Sequence, residues 1–428
     1  MKIAAIADLH LNRVVYKGIY DKEFEGIPFR SGDFMRSFRW MVDECINNVK
    51  PDLIVLCGDI YDYYEPTNEV RGFFSSQCQK IAKAKIPLII LIGNHDVCSK
   101  HHALKDIGEL GLKNIVVVEE SQILKFKDLN LLLFPYSLKI EKKDIKLNDA
   151  FKELIKKTIK DCDDSPRLLF GHCGIQGGTL NEYNDIEKIV EMEETTETTT
   201  PILMTEAPKK AFKDTNPNHL SIEDIDAIGA EYAFFGDFHK HHFLDTKKCR
   251  TMYTGSIEKY SMHEINQKKG FVVYDTEAEI KDETYGKCHF VEYPHCRPMY
   301  EFKGTLPQIR KEFEGLKHED YQGAIVKVNF VGDSNDLIDF SIGLDDLNKD
   351  IVSKIKPIYL FHVQTTKNKE QEEIVSEIEK EIMDKGHISD DDVLDIVVEI
   401  TKEKVEDEKQ REKIVDLATE IHSEARSS

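Results

Sequence analysis

Five short apolar stretches of this sequence each end in residues that can bind a metal ion or move a proton. These residues are Asp8 and His10; Asp59; Asn94, His95 and Asp96; His172; and Asp237 and His239. Carboxylate, imidazole and carboxamide groups without a thiolate are the ligands of Mn²⁺, Mg²⁺, iron or zinc in hydrolytic sites. A carboxylate such as Asp59 can bridge two cations, and two cations about 3.5 to 4 Å apart stabilise the attacking and the leaving oxygen at phosphorus. The pattern therefore predicts a dinuclear centre that hydrolyses a phosphoester.

The apolar stretches themselves predict the elements that position these residues. They lie at 2–7, 52–57, 87–92, 167–170 and 231–235. Each is short, β-branched or aromatic, and bounded by Gly, Asp or Asn, which is typical of a buried strand. Apolar residues recur at helical spacing at 34–49 and 69–84, between the strands. The sequence therefore predicts a layered α/β sheet protein, in which sites form at the carboxyl ends of the strands.

The domain organisation follows from changes in composition along the chain. Residues 1–295 are predicted to form the layered α/β domain, interrupted by an exposed polar insertion at 176–221. Prolines near 294–298 open a smaller α/β capping domain at 296–366. Residues 367–428 have helical patterning and an apolar run inside an acidic context, so they are predicted to form a helical tail that docks on a partner protein.

The net charge of −21 argues against non-specific adhesion to nucleic acid, because phosphate binding requires Lys and Arg. From Gln371 to Ser428 there are 19 acidic residues against 8 basic ones, so about half of the excess lies in the tail. Any affinity for DNA would have to come from a local patch, from the metals or from a partner.

Cysteine usage and hydropathy indicate the compartment. The nine cysteines contain no C-x-x-C pair, which argues against a disulfide framework and a zinc ribbon. No apolar run of about 18 residues is present, and the first residues lack the features of a signal peptide. We therefore expect a soluble cytoplasmic protein without a membrane partner.

The ordered set D-x-H, G-D, G-N-H-D, G-H and G-x-x-H resembles the signature of the calcineurin-like metallophosphoesterase superfamily. Within it, the chain resembles the SbcD-type nuclease subunits of double-strand-break repair complexes. The supporting motifs are GDIYD at 58–62, GNHD at 93–96, HCGIQGGTL from His172, YTGSIEKYS at 253–261 and CRP at 296–298. The match extends from Met1 to about Tyr300 and implies an αββα sandwich. From there to Phe361 only the arrangement of elements is similar, and the tail is too divergent to compare.

This resemblance implies a role for each residue. One metal would be held by Asp8, His10, Asp59 and His239, and the other by Asp59, Asn94, His172 and Asp237. His95 would act near the leaving group as a general acid or transition-state stabiliser, oriented by Asp96. The implied reaction is Mn²⁺-dependent exonuclease or endonuclease hydrolysis of DNA phosphodiesters by metal-activated water, with Mg²⁺ as the second choice of metal. The implied assembly is a homodimer bound to an SMC-like ATPase of the SbcC type.

The chain departs from the family pattern at Asp237. The family has G-H-x-H here, so Asp237 stands where a histidine ligand is expected, and His239 keeps the second position. An aspartate ligand adds negative charge and favours a harder ion such as Mn²⁺ or Mg²⁺. The alternative for Asp237 is a turn residue that makes a backbone hydrogen bond. His241 and His242 are predicted to be rim or surface residues.

Two other functions remain open at this point. A phosphatase or small-molecule phosphodiesterase would use the same metal scaffold, and the acidic charge favours it. Against it, GDIYDYY lacks the arginine that follows this motif in phosphoprotein phosphatases, and about 130 further residues need an explanation. A scaffold subunit without activity is the other alternative, but every expected catalytic position is filled.

Overall fold

The computed structural model describes residues 1–14, 20–98, 100–176, 219–280, 282–314 and 323–330. The chain divides into two compact units, Met1–Arg297 and Pro298–Ser428. Most of the predicted insertion at 176–221 and all of the predicted tail at 367–428 lie outside the described residues. Among the described helices, none is long and apolar enough to span a membrane.

Two six-stranded sheets form the first unit. The first sheet contains β1 (Lys2–Ile6), β2 (Leu53–Cys57), β3 (Leu88–Leu91), β4 (Ile115–Val118), β11 (Gly270–Asp275) and β12 (Cys288–Glu292). The second contains β5 (Gln122–Phe126), β6 (Leu129–Phe134), β7 (Arg167–His172), β8 (Tyr232–Gly236), β9 (His242–Phe243) and β10 (Arg250–Tyr253). Their orders are β12-β11-β1-β2-β3-β4 and β5-β6-β7-β8-β10-β9. The strands β1 to β4 are mutually parallel, as are β6, β7, β8 and β10.

Helices cover the outer face of each sheet. On the first sheet these are α1 (Phe29–Glu44), which continues into a π-helical turn at Cys45–Val49, and α2 (Asn68–Lys83). On the second sheet they are α5 (Leu147–Asp161) and a short helix at Ile222–Ala227. The remaining helices in the described part of this unit are α3 (Lys105–Glu109), α4 (Leu138–Glu141) and a 3₁₀ turn at Met262–Glu264.

The alternation of side chains along the central strands explains this layering. Val55 of β2 and Phe170 of β7 belong to one buried cluster between the two sheets. Their neighbours Ile54 and Leu169 belong to the clusters under the helices of the first and the second sheet, respectively. Because both faces are covered, these strands are apolar throughout, as their sequences indicated. The predicted layered α/β sandwich is confirmed.

The second unit begins with a strand, a helix and a parallel strand. Its described elements are β13 (Met299–Gly304), a helix at Leu306–Glu314 and β14 (Ile325–Phe330). Met299 pairs with Ile325 and the register continues to the end of both strands. A parallel pair joined by a helix is the βαβ unit, so the described part of this unit is α/β in character.

Candidate metal centre

The loops that follow β1, β2, β3, β7 and β8 meet at one edge of the sandwich. Within the first sheet, the backbone N–H of Asp8 donates to the carbonyl oxygen of Gly58 at 3.2 Å. Between the sheets, the backbone N–H of Asp237 donates to Oδ1 of Asp8 at 3.0 Å. Parallel strands present their carboxyl ends on the same side, so the residues singled out in the sequence are brought close together.

The backbone at this edge is unusual. The angle φ is 54° at Asp8, 49° at Asp59 and 106° at Asp237. Non-glycine residues rarely have such angles, and they persist where the surrounding structure fixes them, often at functional sites. At Gly58, whose φ is 89°, an added Cβ would lie 2.3 Å from Nδ1 of His172. Glycine is therefore required at position 58 for this ring to pack there.

The first group of converging ligand atoms belongs to Asp8, Asp59 and His172, and these atoms lie within 4.8 Å of one another. Oδ1 of Asp59 is 3.2 Å from Nε2 of His172. Oδ1 of Asn94 is 2.7 Å from the same nitrogen. Oδ2 of Asp8 is buried and has no hydrogen-bond partner among the described residues. A buried carboxylate oxygen without a partner is unfavourable, so this donor set fits a divalent cation.

The second group contains His10 and His239, whose Nε2 atoms are 3.1 Å apart. Nε2 of His10 is also 3.8 Å from Oδ2 of Asp59. Burial lowers the pKa of His10 to about 4. This ring is therefore neutral at pH 7 and has a lone pair for a metal. Asp59 directs one oxygen toward each group, which is the arrangement expected of a bridging ligand.

Groups behind the centre orient two of the imidazole rings. Nδ1 of His172 is 2.7 Å from the carbonyl oxygen of Cys57. Nδ1 of His239 is 3.2 Å from Oε1 of Glu264. An N–H at each Nδ1 donates to these oxygens, which directs Nε2 of each ring toward the centre.

Glu264 forms a buried ion pair that the sequence did not reveal. Its Oε2 is 2.6 Å from Nζ of Lys269, and both side chains are fully buried. Lys269 also donates to the carbonyl oxygen of His239 at 2.9 Å. Burial opposes ionisation of Glu264, but Lys269 and His239 hold the pKa of its carboxyl group below the ordinary value. The only signal in the sequence is one glutamate and two lysines between YTGSIEKYS and the strand at 270.

Asp62 is a second residue outside the predicted site, although it lies in the GDIYD motif. Its Oδ1 is 3.1 Å from Nδ1 of His10 and accepts the O–H of Tyr260 at 2.9 Å. Its Oδ2 accepts a hydrogen bond from Arg13 at 3.2 Å. Its carbonyl oxygen is 2.7 Å from Nδ1 of His95. Asp62 therefore contacts both a predicted metal ligand and the predicted general acid.

His95 lies at the open side of the centre. Its side chain is 39% exposed, and its Nε2 is 4.0 Å from Oδ2 of Asp59. Burial opposes protonation, but the charges of Asp59 and Asp62 raise the pKa of His95. The raised pKa favours the protonated form of this accessible imidazole, which is the form that can donate a proton to a leaving oxygen.

Asp96 connects two of the loops. Its buried carboxylate accepts the backbone N–H groups of Gly93 at 2.9 Å, Tyr61 at 3.0 Å and Ile60 at 3.2 Å. Burial, together with the charge of Asp59, raises the pKa of Asp96 to about 7. These contacts fix the loops after β2 and β3 relative to each other. Nδ1 of His95 contacts the carbonyl oxygen of Asp62 and not Asp96. Direct orientation of His95 by Asp96 therefore stays a prediction.

The carboxyl group of Asp237 is near the centre. Burial raises its pKa, and the charge on His172 opposes that shift. Its backbone N–H donates to the carboxylate of Asp8, as described above, and this contact does not distinguish a metal ligand from a turn residue. Its role as a ligand stays a prediction.

His241 and His242 are held by other contacts. Nδ1 of His241 is 2.8 Å from the carbonyl oxygen of Tyr253, and its ring stacks on Phe290 at 4.5 Å. Nδ1 of His242 is 2.8 Å from the carbonyl oxygen of Lys240. Both rings are half-buried. They support the loop after β8 rather than the two groups of ligands.

Replacing Glu264 with glutamine should weaken metal binding. The change keeps the shape of the side chain but removes the charge that makes His239 a stronger ligand. We expect the dissociation constant for Mn²⁺, measured by calorimetry, to rise about 10- to 100-fold. The single variant leaves the charge of Lys269 buried without its partner, which should also lower the melting temperature. The double variant Glu264→Gln/Lys269→Met removes both buried charges, so its melting temperature should return toward that of the unmodified protein while its Mn²⁺ affinity stays low. Glu292→Gln is the matched control, because Glu292 pairs with Lys268 at the surface. Equal affinity in all variants would contradict this role.

Metal affinity should rise with pH. Burial alone would lower the pKa of His172, but Asp59, Asp8 and Asp237 raise it to about 10. At neutral pH the metal-free ring is therefore protonated on both nitrogens, and a cation that binds Nε2 must displace a proton. Calorimetry in buffers of different ionisation enthalpy should detect this release, and the Mn²⁺ dissociation constant should be lower at pH 8.5 than at pH 6.5. Heats independent of the buffer, with equal affinity at both pH values, would contradict the displacement of a proton from His172.

Comparisons with known proteins agree with the motifs. The family model described as calcineurin-like phosphoesterase matches residues 1–241. The chain is 22% identical over 345 residues to the SbcD component of nuclease SbcCD from Staphylococcus epidermidis, covering 75% of this chain and 77% of that protein. It is 21% identical over 417 residues to DNA double-strand break repair protein Mre11 of Archaeoglobus fulgidus, covering 93% and 84%.

A solved structure is also similar. The crystal structure of the protein TT1561 of Thermus thermophilus aligns with a TM-score of 0.33 and 10% sequence identity, over 64% of this chain and 93% of that one. The family model spans more than half of the chain. The protein therefore belongs to the calcineurin-like phosphoesterase family and is a hydrolase of phosphodiester bonds, as the order of its motifs predicts.

Proposed function

We propose that this protein is a metal-dependent DNA nuclease. The observation that carries the proposal is that the two carboxylate oxygens of Asp59 face His172 on one side and His10 on the other, with His95 accessible beside them. Ligand atoms of Asp8, Asp59 and His172 converge in one group that could hold a metal ion, and those of His10, Asp62 and His95 in another. A centre of this kind suits displacement at a phosphodiester. The relatives named for nuclease SbcCD and for double-strand break repair by Mre11 support DNA as the substrate.

We assign the ligands as the motifs imply. Asp8, His10, Asp59 and His239 hold one cation, and Asp59, Asn94, His172 and Asp237 hold the other. Divalent ions bound there would lower the pKa of water and neutralise charge on the phosphate oxygens. Mn²⁺ is the proposed metal, because the donors are oxygen and nitrogen atoms and Asp237 adds an anionic oxygen.

Residues of the chain itself carry the proton transfer and the positioning. His95 donates a proton from Nε2 to the oxygen that leaves phosphorus. The carbonyl oxygen of Asp62 receives the N–H at Nδ1 of His95, which fixes the ring so that Nε2 faces the substrate. Oδ1 of Asp62 lies 3.1 Å from Nδ1 of His10, so its charge favours a proton on that nitrogen and leaves Nε2 for the metal.

The second candidate is a small-molecule phosphodiesterase or a phosphatase on the same centre. The net charge of −21 favours it, since DNA is a polyanion. It predicts hydrolysis of a chromogenic phosphodiester without cleavage of duplex DNA. A scaffold subunit without activity, the third candidate, would hydrolyse neither.

We expect the purified protein to cleave linear duplex DNA with Mn²⁺ and to lose this activity in EDTA. His95→Ala should lower the cleavage rate about 100- to 10,000-fold, because it removes the proton donor. Mn²⁺ affinity in this variant should match that of the unmodified protein, since His95 is assigned here as the proton donor and not as a ligand. His289→Ala, at an exposed position of β12, is the control. Hydrolysis of a chromogenic phosphodiester without DNA cleavage would contradict the nuclease and favour the small-molecule phosphodiesterase.

We propose further that the protein acts in the cytoplasm as a homodimer with an SMC-like ATPase. All nine cysteines are free, which suits a reducing compartment. The name of one relative, which is a single subunit of nuclease SbcCD, supports a second component. The apolar run from Val393 to Ile400 would provide the docking surface, and it lies outside the described residues.

Truncation after Thr366 should therefore abolish binding to the SMC-like ATPase of the same organism. The apolar run would be missing, whereas the metal centre would be complete. Size-exclusion chromatography of the mixed proteins measures the complex, and Mn²⁺ calorimetry of the truncated chain checks the centre. Co-elution of the truncated chain with the ATPase at unchanged affinity would rule out the tail as the docking surface.

A further inference from the structure

The segment between β6 and β7 begins at the metal centre. Phe134 at the end of β6 pairs with Gly171, the residue before His172. Two residues later, the backbone N–H of Tyr136 donates to the carbonyl oxygen of Ile92 at 2.8 Å. Ile92 directly precedes the G-N-H-D motif. The helices α4 and α5 then lead from this edge to the start of β7, at the opposite edge of the sheet.

This segment is basic in an acidic protein. Residues 139–160 contain eight lysines and four carboxylates, although the whole chain has a net charge of −21. The lysines are Lys139, Lys142, Lys143, Lys146, Lys152, Lys156, Lys157 and Lys160, and all are exposed. We call these residues the lysine strip. Three of them, at 152, 156 and 160, are four residues apart and lie on one face of α5.

Most ammonium groups of the lysine strip are available. Lys139 pairs with Glu120 at 3.3 Å. Among the described residues, no carboxylate lies within ion-pair distance of Lys142, Lys143 or Lys146, although Glu141 and Asp144 are near in the chain. Glu141 instead accepts the O–H of Tyr136 at 3.2 Å. Clustered like charges disfavour each other, so a run of unpaired lysines suits an anionic partner.

We propose that the lysine strip binds the phosphate backbone of DNA and leads it to the metal centre. This inference rests on the proposed nuclease function. Lys142, Lys143 and Lys146 would contact the phosphates nearest the scissile bond, and the lysines of α5 would contact those farther away. The 15 residues of α5 extend for about 22 Å, which corresponds to about six nucleotides of one strand at 3.4 Å each. The strip is the local patch that an acidic protein needs in order to bind DNA.

The test is DNA binding by the variant Lys142→Gln/Lys143→Gln/Lys146→Gln. Fluorescence anisotropy with a labelled 40-base-pair duplex gives the dissociation constant across a series of salt concentrations. All proteins carry His95→Ala and are loaded with Mn²⁺, so that the DNA stays intact. The control is Lys83→Gln/Lys85→Gln/Lys113→Gln, which removes the same charge from exposed lysines where the strands begin. A third variant, Lys152→Gln/Lys156→Gln/Lys160→Gln, tests the distal part of the strip.

We expect the first variant to bind DNA at least about tenfold more weakly than the control at 0.1 M salt. Its slope of log affinity against log salt should be smaller by about 2 to 3, one unit for each lost phosphate contact. The distal variant should show a smaller loss. Melting temperature and Mn²⁺ affinity, measured in parallel, should match those of the control.

Equal affinity and equal salt slope in the first variant and the control would overturn the proposal that the lysine strip binds DNA. If the unmodified protein still cleaves DNA in that case, the proposed nuclease function stands and the DNA follows another path. If the unmodified protein neither binds nor cleaves duplex DNA, both proposals fail.

Discussion

Asp59, whose carboxylate is buried, connects the loops after β1, β3 and β7 to the loop after β2. Its Oδ1 faces His172 and also accepts the backbone N–H of His95 at 3.0 Å. Its carbonyl oxygen accepts the backbone N–H groups of Leu9 at 2.7 Å and His10 at 3.1 Å. Burying a charge costs several kcal/mol unless it is paired. Burial opposes ionisation here, but His172 and His95 hold the pKa of Asp59 below its ordinary value. The two sheets must therefore pack so that these rings reach one carboxylate.

This constraint explains which parts of the molecule could be predicted from the sequence. Strands such as Leu53–Cys57 and Leu88–Leu91 are predictable from neighbouring residues alone, namely their apolar runs and the glycines that follow. The residues that follow the strands were predictable for the same reason, since the strand end determines their place. Glu264 and Lys269 were not, because their contact with His239 links positions 25 to 30 residues apart and leaves no periodic signal. Asp62 was overlooked because its contacts with Tyr260 and Arg13 depend on the fold.

Charges close to the metal centre, rather than the net charge of the chain, determine the electrostatic environment of a phosphate bound there. Charges separated by more than about 8 Å of physiological saline are largely screened. The acidic excess of residues 371–428 therefore affects a phosphate at the metal centre only if the tail lies beside it. What a phosphate meets within that distance is decided by the loops at the strand ends. There the negative charge of the carboxylates is balanced by imidazoles and would be balanced by bound cations. The lysine strip lies in the segment after β6, which begins at the same edge.

Asp62 connects the two chemical tasks of the centre. Its carboxylate contacts His10, a proposed metal ligand, whereas its carbonyl oxygen contacts His95, the proposed proton donor. Tyr260 binds the same carboxylate, and its ring lies 4.8 Å from the His10 ring and 4.5 Å from the His239 ring. A shift of Asp62 would move a ligand and the acid together. The side chains behind the ligands therefore determine not only whether a metal binds but also where the proton donor lies relative to it.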